Sequence, residues 1–294
     1  DASRVSLGLY RTDPLHRVEP VPWPLADQVA AGDLWEPVPV GVGESGAPVG
    51  LPMVFNHVLI GGLPGGGKSV ALSVVVAAAA FDPNVRLHLF DGKLVELAAW
   101  APIADTNIGP DHTAAIQALE RLQQLMEARY TDLLTAGRRK INRSDGWPLH
   151  VVVVDELALY VASGDKTSSA TIANLLRDLV ARGRAAGIIV VAATQKPDAT
   201  TVPTALRALF GIKWALRCAT PQASDTVLGQ GWASTGADAS TIDPAAHGVG
   251  YLLHDGDNPT RLLGYHLTDQ QISQIAERAH QLRQAAGTLP DRSR

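Results

Sequence analysis

Three short groups of residues have types and spacings suited to chemistry. The first is Gly62-Leu63-Pro64-Gly65-Gly66-Gly67-Lys68-Ser69, which follows the pattern G-x-x-x-x-G-K-S. In such a loop the glycines let successive backbone N–H groups turn inward around a polyphosphate without Cβ clashes. Lys68 is placed to reach the β- and γ-phosphates, and the Ser69 hydroxyl to ligate Mg²⁺. Cofactor contacts are therefore expected from Gly62 through Val70. The second group is Asp155-Glu156 at the end of an apolar run. Asp155 is expected to hold Mg²⁺ through its water shell, and Glu156 to orient and deprotonate an attacking water. The third is Thr194-Gln195, at the end of another apolar run. The Gln195 amide can both donate and accept hydrogen bonds, which suits a γ-phosphate sensor. Together these groups predict binding and hydrolysis of a nucleoside triphosphate, ATP or GTP.

To converge, the groups need strands that end on one side of a sheet. His57-Val58-Leu59-Ile60 reads as a strand entering the glycine loop, and the sequence from Val70 continues as a helix to the stop signal Phe81-Asp82-Pro83-Asn84. That helix points its positive end at the bound anion. Leu149 to Val154 and Ile188 to Ala193 are continuous apolar runs, as in strands buried on both faces of a parallel sheet. Val85 to Asp91 and Gly211 to Cys218 supply two more strands. Between them, apolar residues recur at Ile116, Leu119, Leu122 and Met126 in a predicted helix from Asp111, its N-cap, to about Ala136, with Gly137 as the stop. Thr171 to Arg182 reads as a further helix. Thr268 with Gln271 forms a capping box for a last helix to about Ala286. The alternation predicts an α/β fold with a mainly parallel sheet, helices on both faces and the ligand at the carboxyl ends of the strands.

Two hairpins are expected at the edges, Val38–Val42 with Val49–Leu51 and Gly248–Leu253 with Arg261–His266. Residues 1–37 read as an arm or linker broken by Pro14, Pro20, Pro22, Pro24 and Pro37. A short helix is expected near Leu25 to Ala31, with Trp23 and Trp35 as packing anchors. Residues 38–286 form the predicted main domain and 287–294 a tail.

The bulk properties exclude little. With 294 residues, 46% hydrophobic and 18% charged, the chain can bury a large core. A net charge of −4 announces no global basic field, although a ring can gather its basic groups in a central channel. The single cysteine, Cys218, forms no internal disulfide and suits a reducing compartment. The longest apolar run, Leu72 to Phe81, is too short to span a bilayer. Because the chain begins at Asp1, it is expected to be a piece whose membrane anchor lies on a preceding segment, with this part at the cytoplasmic face. Arg138-Arg139-Lys140-Ile141-Asn142-Arg143 is a basic loop, read first as solvated and second as a DNA contact.

Several segments together resemble the motor domain of the FtsK/SpoIIIE family of double-stranded DNA translocases. They are Gly62 to Ser69, Asp91-Gly92-Lys93-Leu94-Val95-Glu96-Leu97, Met126-Glu127-Ala128-Arg129-Tyr130, Val151 to Glu156, Arg184-Ala185-Ala186-Gly187-Ile188 and Ala193-Thr194-Gln195-Lys196-Pro197. Ser224-Asp225-Thr226-Val227-Leu228 and Gly264-Tyr265-His266 continue the match. The details are most similar to the transfer (Tra) proteins of actinomycete conjugative plasmids. The resemblance implies a RecA-like core that binds ATP and Mg²⁺, assembles as a homo-hexamer and threads duplex DNA through its centre. It implies a sensor role for Gln195 and a trans-acting arginine finger at Arg129, with Arg184 the alternative. It places Lys196 and Arg207 toward DNA. Pro221 and Asp225 stand where chromosomal members carry Lys and Arg, so Arg138, Arg139, Lys140 and Arg143 become further candidates for phosphate contacts. Conjugal DNA transfer is the leading expectation. A chromosome-partitioning translocase and a type VII secretion-like ATPase that moves protein are the alternatives.

Overall fold

The computed structural model describes residues 13–15, 19–195 and 202–291. The first hairpin is β1 (Val38–Gly43) and β2 (Pro48–Leu51). β3 (Val58–Gly61) then enters the glycine loop, and α1 (Lys68–Phe81) leaves it. α1 is apolar all round because it is enclosed all round: ten consecutive residues, Ala71 through Ala80, are buried. β4 (Val85–Phe90) and a short β5 (Thr106–Ile108) follow, then the long α2 (His112–Thr135), whose first turn is capped by the Asp111 carboxylate. β6 (Leu149–Val154), α3 (Leu157–Val161), α4 (Lys166–Arg182) and β7 (Ile188–Thr194) carry the acidic pair and the sensor segment. α5 (Thr204–Arg207), β8 (Ile212–Leu216) and α6 (Pro221–Leu228) lead to the second hairpin, β9 (Val249–His254) with β10 (Thr260–Gly264). α7 (Asp269–Ala285) closes the domain behind the Thr268–Gln271 capping box.

All ten strands form one sheet, in the order β2-β1-β10-β9-β8-β3-β7-β6-β4-β5. From β8 to β5 every neighbour is parallel, whereas β9, β10, β1 and β2 extend the sheet by antiparallel pairing. β3 lies between β7 and β8, and its alternating side chains feed two cores. Val58 and Ile60 pack with α1 and α7, and Leu59 packs with α2 and α4. The carboxyl ends of β3, β6 and β7 therefore open on one edge of the sheet, which is where a doubly wound fold holds its ligand.

The sequence-based expectations hold for the central strands and both hairpins. α4 starts earlier than expected because Asp165 caps it, its carboxylate accepting from Thr167 N and Ser168 N. The helix expected near Leu25–Ala31 is instead a run of turns, with Ala26 N donating to Trp23 O and Gln28 N to Leu25 O. The described part of the arm is packed down, with Leu15, Trp23, Ala26 and Leu34 all buried.

Candidate nucleotide and hydrolysis site

Gly65 and Gly67 hold left-handed backbone conformations, φ 77° and 100°, which a side chain would strain. Gly67 is also the N-cap of α1, and a Cβ there would come within 3.0 Å of Gly248 Cα. The loop is tied down on both flanks. Gly62 N donates to Thr194 O at 3.3 Å, and Leu63 N donates to Arg217 O at 2.8 Å. Gly248 N donates to Gly66 O at 3.3 Å, and His247 Nδ1 lies 2.9 Å from Gly65 O. Fixing the carbonyls in this way leaves the loop's other face for an anion.

Lys68 Nζ donates to both the backbone O and Oδ1 of Asp155, each at 3.1 Å. The pair is closed to solvent, with Lys68 4% and Asp155 0% exposed. The other carboxylate oxygen, Asp155 Oδ2, is buried and has no hydrogen-bond partner. An unsatisfied buried carboxylate oxygen is costly unless a donor or cation comes to it. With the half-buried Ser69 hydroxyl in the first turn of α1, the residues present fit a hydrated Mg²⁺. Glu156 is held by both oxygens: Oε1 accepts from Thr194 Oγ1 at 2.9 Å, and Oε2 accepts from Gln195 N at 3.0 Å. The structure thus brings Lys68, Ser69, Asp155, Glu156 and Gln195 to one edge.

A cavity of about 510 Å³ opens beside them, a size suited to a nucleotide. Lys68, Ser69 and Gln195 contribute to one side, and Trp214, Tyr265 and His266 to another. Sequence reasoning did not assign this second side. Its signal is a cluster of glycines: a Cβ on Gly264 would meet the Trp214 ring at 3.3 Å, and Gly248 has φ 82°. Thr194, grouped with Gln195 at the strand end but given no role of its own, proves to be the hydroxyl that holds Glu156. Asp91, likewise at a strand end, organises the following loop. Its Oδ1 accepts from Lys93 N and Leu94 N, and its Oδ2 from Leu97 N.

Geometry overturns two expected roles, those of Arg129 and Arg207, and ties two further basic residues, Arg138 and Arg143, into local ion pairs. Arg129 is 5% exposed. Its Nη1 donates to Ala186 O at 2.6 Å and its Nη2 to Pro148 O at 2.7 Å, with Trp147 beneath the guanidinium. Burial pulls its pKa down to about 10. A guanidinium fixed inside its own subunit at the amino ends of β6 and β7 is not presented to a neighbour. Arg207 is also buried, its guanidinium donating to Val202 O, Thr226 O and Thr204 Oγ1, so it does not face a DNA path. Arg138 forms a two-pronged pair with Asp145, 2.6 Å on each side. Arg143 pairs with Asp33 and Glu36. Both are engaged in loop structure. Of the remaining basic candidates, Lys140 sits over the Phe55 ring, and Arg139 is exposed with no ion pair among the described residues. Arg184 is half-buried near Gly211 and Asp255, at the opposite end of the strands from the glycine loop. Lys196 lies outside the described residues.

Residues 28–149 match the family model described as FtsK/SpoIIIE family. The DNA translocase FtsK of Halalkalibacterium halodurans is 30% identical over 263 residues, covering 81% of this chain and 32% of that protein. That of Staphylococcus aureus is 28% identical over 274 residues, covering 84% and 33%. The chain thus spans about a third of the length of these curated relatives. Among solved structures, the pCW3 conjugation coupling protein TcpA, in its monomer form with ATPγS, aligns with a TM-score of 0.74 at 19% identity over 92% of this chain and 76% of that one. EssC (ATPases 2 and 3) of Geobacillus thermodenitrificans aligns with a TM-score of 0.74 at 15% identity, over 94% and 53%. The identity to the Halalkalibacterium halodurans protein along most of the chain shows that it belongs to the FtsK/SpoIIIE family, and the solved structures share its fold. No helix among the described residues is long and apolar enough to cross a membrane.

Proposed function

We propose that the chain is the motor of an ATP-driven pump for double-stranded DNA, acting in conjugal transfer. The observation that carries the reading is the convergence of Lys68, Asp155, Glu156 and Gln195 at one sheet edge, in a chain aligned along most of its length with DNA translocases. Glu156 accepts a proton from water as the water oxygen bonds to the γ-phosphorus. The bond from that phosphorus to the β–γ bridging oxygen breaks, and ADP and phosphate leave. Thr194 and the Gln195 amide fix the orientation of Glu156, and Lys68 meets the phosphate charge. Mg²⁺ held by Ser69 and Asp155 would supply further charge neutralisation on the phosphate oxygens.

A ring of six copies around duplex DNA remains part of this proposal, as does a membrane anchor on a preceding segment that leaves the motor at the cytoplasmic face. With Arg129 fixed internally, Arg184 is the remaining candidate for an arginine offered to a neighbour's site. Among the basic residues, Arg138, Arg139, Lys140, Arg143 and Lys196 remain candidates for DNA phosphates. ATPase activity is expected to rise on adding duplex DNA and to lose that stimulation at high salt. Indifference to duplex at every ionic strength would refute the DNA reading. The fold also aligns with the type VII secretion ATPase EccC of Thermomonospora curvata, solved with a signal sequence peptide, so a protein-moving motor is the second reading. Stimulation by a substrate peptide, and not by DNA, would establish it.

A further inference from the structure

The arm before the first strand reaches into the cavity. Glu19 and Pro20 line it together with Tyr265 and His266. The next residues pair with His266, just past the end of β10, through a single parallel bridge. His266 N donates to Val21 O at 2.8 Å, Trp23 N donates to His266 O at 3.2 Å, and Pro22 and His266 form a parallel bridge. Trp23 is 2% exposed. Its Nε1 donates to Pro39 O at 2.9 Å, and its ring stacks on Phe81, the last residue of α1. Further along, Gly32 N donates to Phe81 O and Leu34 N to the Asp82 carboxylate, both at 2.9 Å. The arm is therefore fastened to the domain at two places, the cavity wall and the far end of the helix that begins at Lys68.

We infer that residues 19–23 are part of the nucleotide site and close it over the nucleoside, so that nucleotide binding and docking of the arm are linked. This rests on the reading of the cavity as an ATP site. Glu19 is the one carboxylate among the described residues lining the cavity, with Lys68 the one lysine or arginine. A carboxylate is repelled by a triphosphate and accepts hydrogen bonds from hydroxyl and amino groups. The arm therefore belongs beside the ribose and base, with the phosphates at Lys68. Tyr265 and His266, locked between β1 and the arm through Tyr265 N to Val40 O and the His266 bonds, complete that side. Because linkage is reciprocal, a nucleotide that contacts the docked arm stabilises the docking as much as the arm stabilises binding.

The test uses the whole chain and two ligands, ATPγS and inorganic tripolyphosphate, which lacks the nucleoside. Glu19→Ala with Pro20→Gly is expected to weaken ATPγS binding 3- to 10-fold (about 0.6–1.4 kcal/mol) and to leave tripolyphosphate affinity unchanged. Both residues are exposed, so the fold is expected to persist. Independently, ATPγS is expected to slow hydrogen exchange at the Trp23 and His266 amides of the unmodified chain, and tripolyphosphate is not. Equal weakening toward both ligands would overturn the placement beside the nucleoside. ATPγS binding with unaltered exchange at Trp23 and His266 would overturn the link to the arm. Failure of the unmodified chain to bind ATPγS would instead overturn the nucleotide reading itself, and the inference with it.

Discussion

At the carboxyl ends of β3, β6 and β7, buried polar side chains face one another. Lys68 meets Asp155, and Glu156 meets Thr194, while Asp155 Oδ2 keeps no partner. At the amino ends of these strands and of β4, buried polar side chains face the main chain. Arg129 donates to Ala186 O and Pro148 O, and His57 Nδ1 accepts from Val190 N while its Nε2, inside the core, keeps no partner. Arg283, fully buried, donates to the carbonyls of Ala79, Ala80, Asp82 and Val85 around the end of α1 and the start of β4. The difference separates chemistry from architecture. A side-chain pair with a spare lone pair can rearrange when a substrate arrives, whereas an arginine bound to several carbonyls cannot leave without orphaning them.

The sharpest way to break this comparison is at Glu156. Glu156→Gln keeps size and, with its oxygen toward Gln195 N and its NH2 donating to Thr194 Oγ1, both neighbours, but removes the base, so turnover is expected to fall by about 10²–10⁴-fold. ATPγS binding and the thermal midpoint are expected to stay near those of the parent. Unchanged turnover in a steady-state ATPase assay would remove Glu156 from the chemistry. Arg129→Met probes the other end and should give the inverse pattern. Orphaning one buried carbonyl and one part-buried one is expected to cost about 1–3 kcal/mol in denaturant unfolding, with turnover per folded molecule preserved. A stable Arg129→Met protein that had lost turnover would instead restore the arginine to a catalytic role.

Acid should separate the two ends as well. His57 is buried against the Phe210 ring, and its pKa is lowered to about 3 by desolvation and then by the Arg184 charge. His88 is lowered to about 4 by desolvation and then by Arg121 and Arg86. For both, the fold prefers the neutral ring, so the unfolded chain takes up the proton first. Their contribution to stability is complete above the unfolded value of 6.5 and is lost as pH falls from there toward 4 and 3. Each group is expected to steepen the loss by about 1.4 kcal/mol per pH unit inside that window. Denaturant midpoints measured from pH 7.5 to 4.5 test this, and His57→Asn should flatten the profile.

How much of this was legible in the sequence follows the same division. The glycine loop, the acidic pair and the central strands depend on local pattern: glycine spacing, continuous apolar runs and a carboxylate at the run's end. Those survive in a single sequence. The roles of Arg129 and Arg207 do not, because a helical arginine reads the same whether its guanidinium meets water, DNA or the Ala186 carbonyl. The second wall of the cavity was hidden for a different reason. Trp214, Tyr265, His266 and Glu19 are far apart in the chain and meet only because the antiparallel strands return β10 beside β1 and the arm. Only the glycines at 248, with its left-handed backbone, and 264, where a Cβ would crowd the Trp214 ring, left a trace, and it took the tertiary contacts to interpret it.

Thr194 gives the smallest expected effect and the finest test. It lies at the carboxyl end of β7, fully buried, and its hydroxyl donates to Glu156 Oε1 at 2.9 Å. Val has nearly the same shape, and the β-branched side chain suits the strand, so Thr194→Val removes the hydroxyl without opening a cavity. Glu156 Oε2 keeps its bond from the Gln195 amide, so the carboxylate loses one of two restraints. A net loss of about 0.5–1.5 kcal/mol in stability is expected from the missing hydrogen bond. If the contact matters for orientation, kcat should fall roughly 3- to 10-fold while KM for ATP stays put, because Thr194 is fully buried and does not line the cavity. The pair Glu156→Gln with Thr194→Val should then be no slower than Glu156→Gln alone, since a hydroxyl that acts through the base has nothing to orient once the base is gone. Additive losses in that cycle would mean that Thr194 touches the nucleotide or the water directly, and would move it from holding the base to taking part in the reaction.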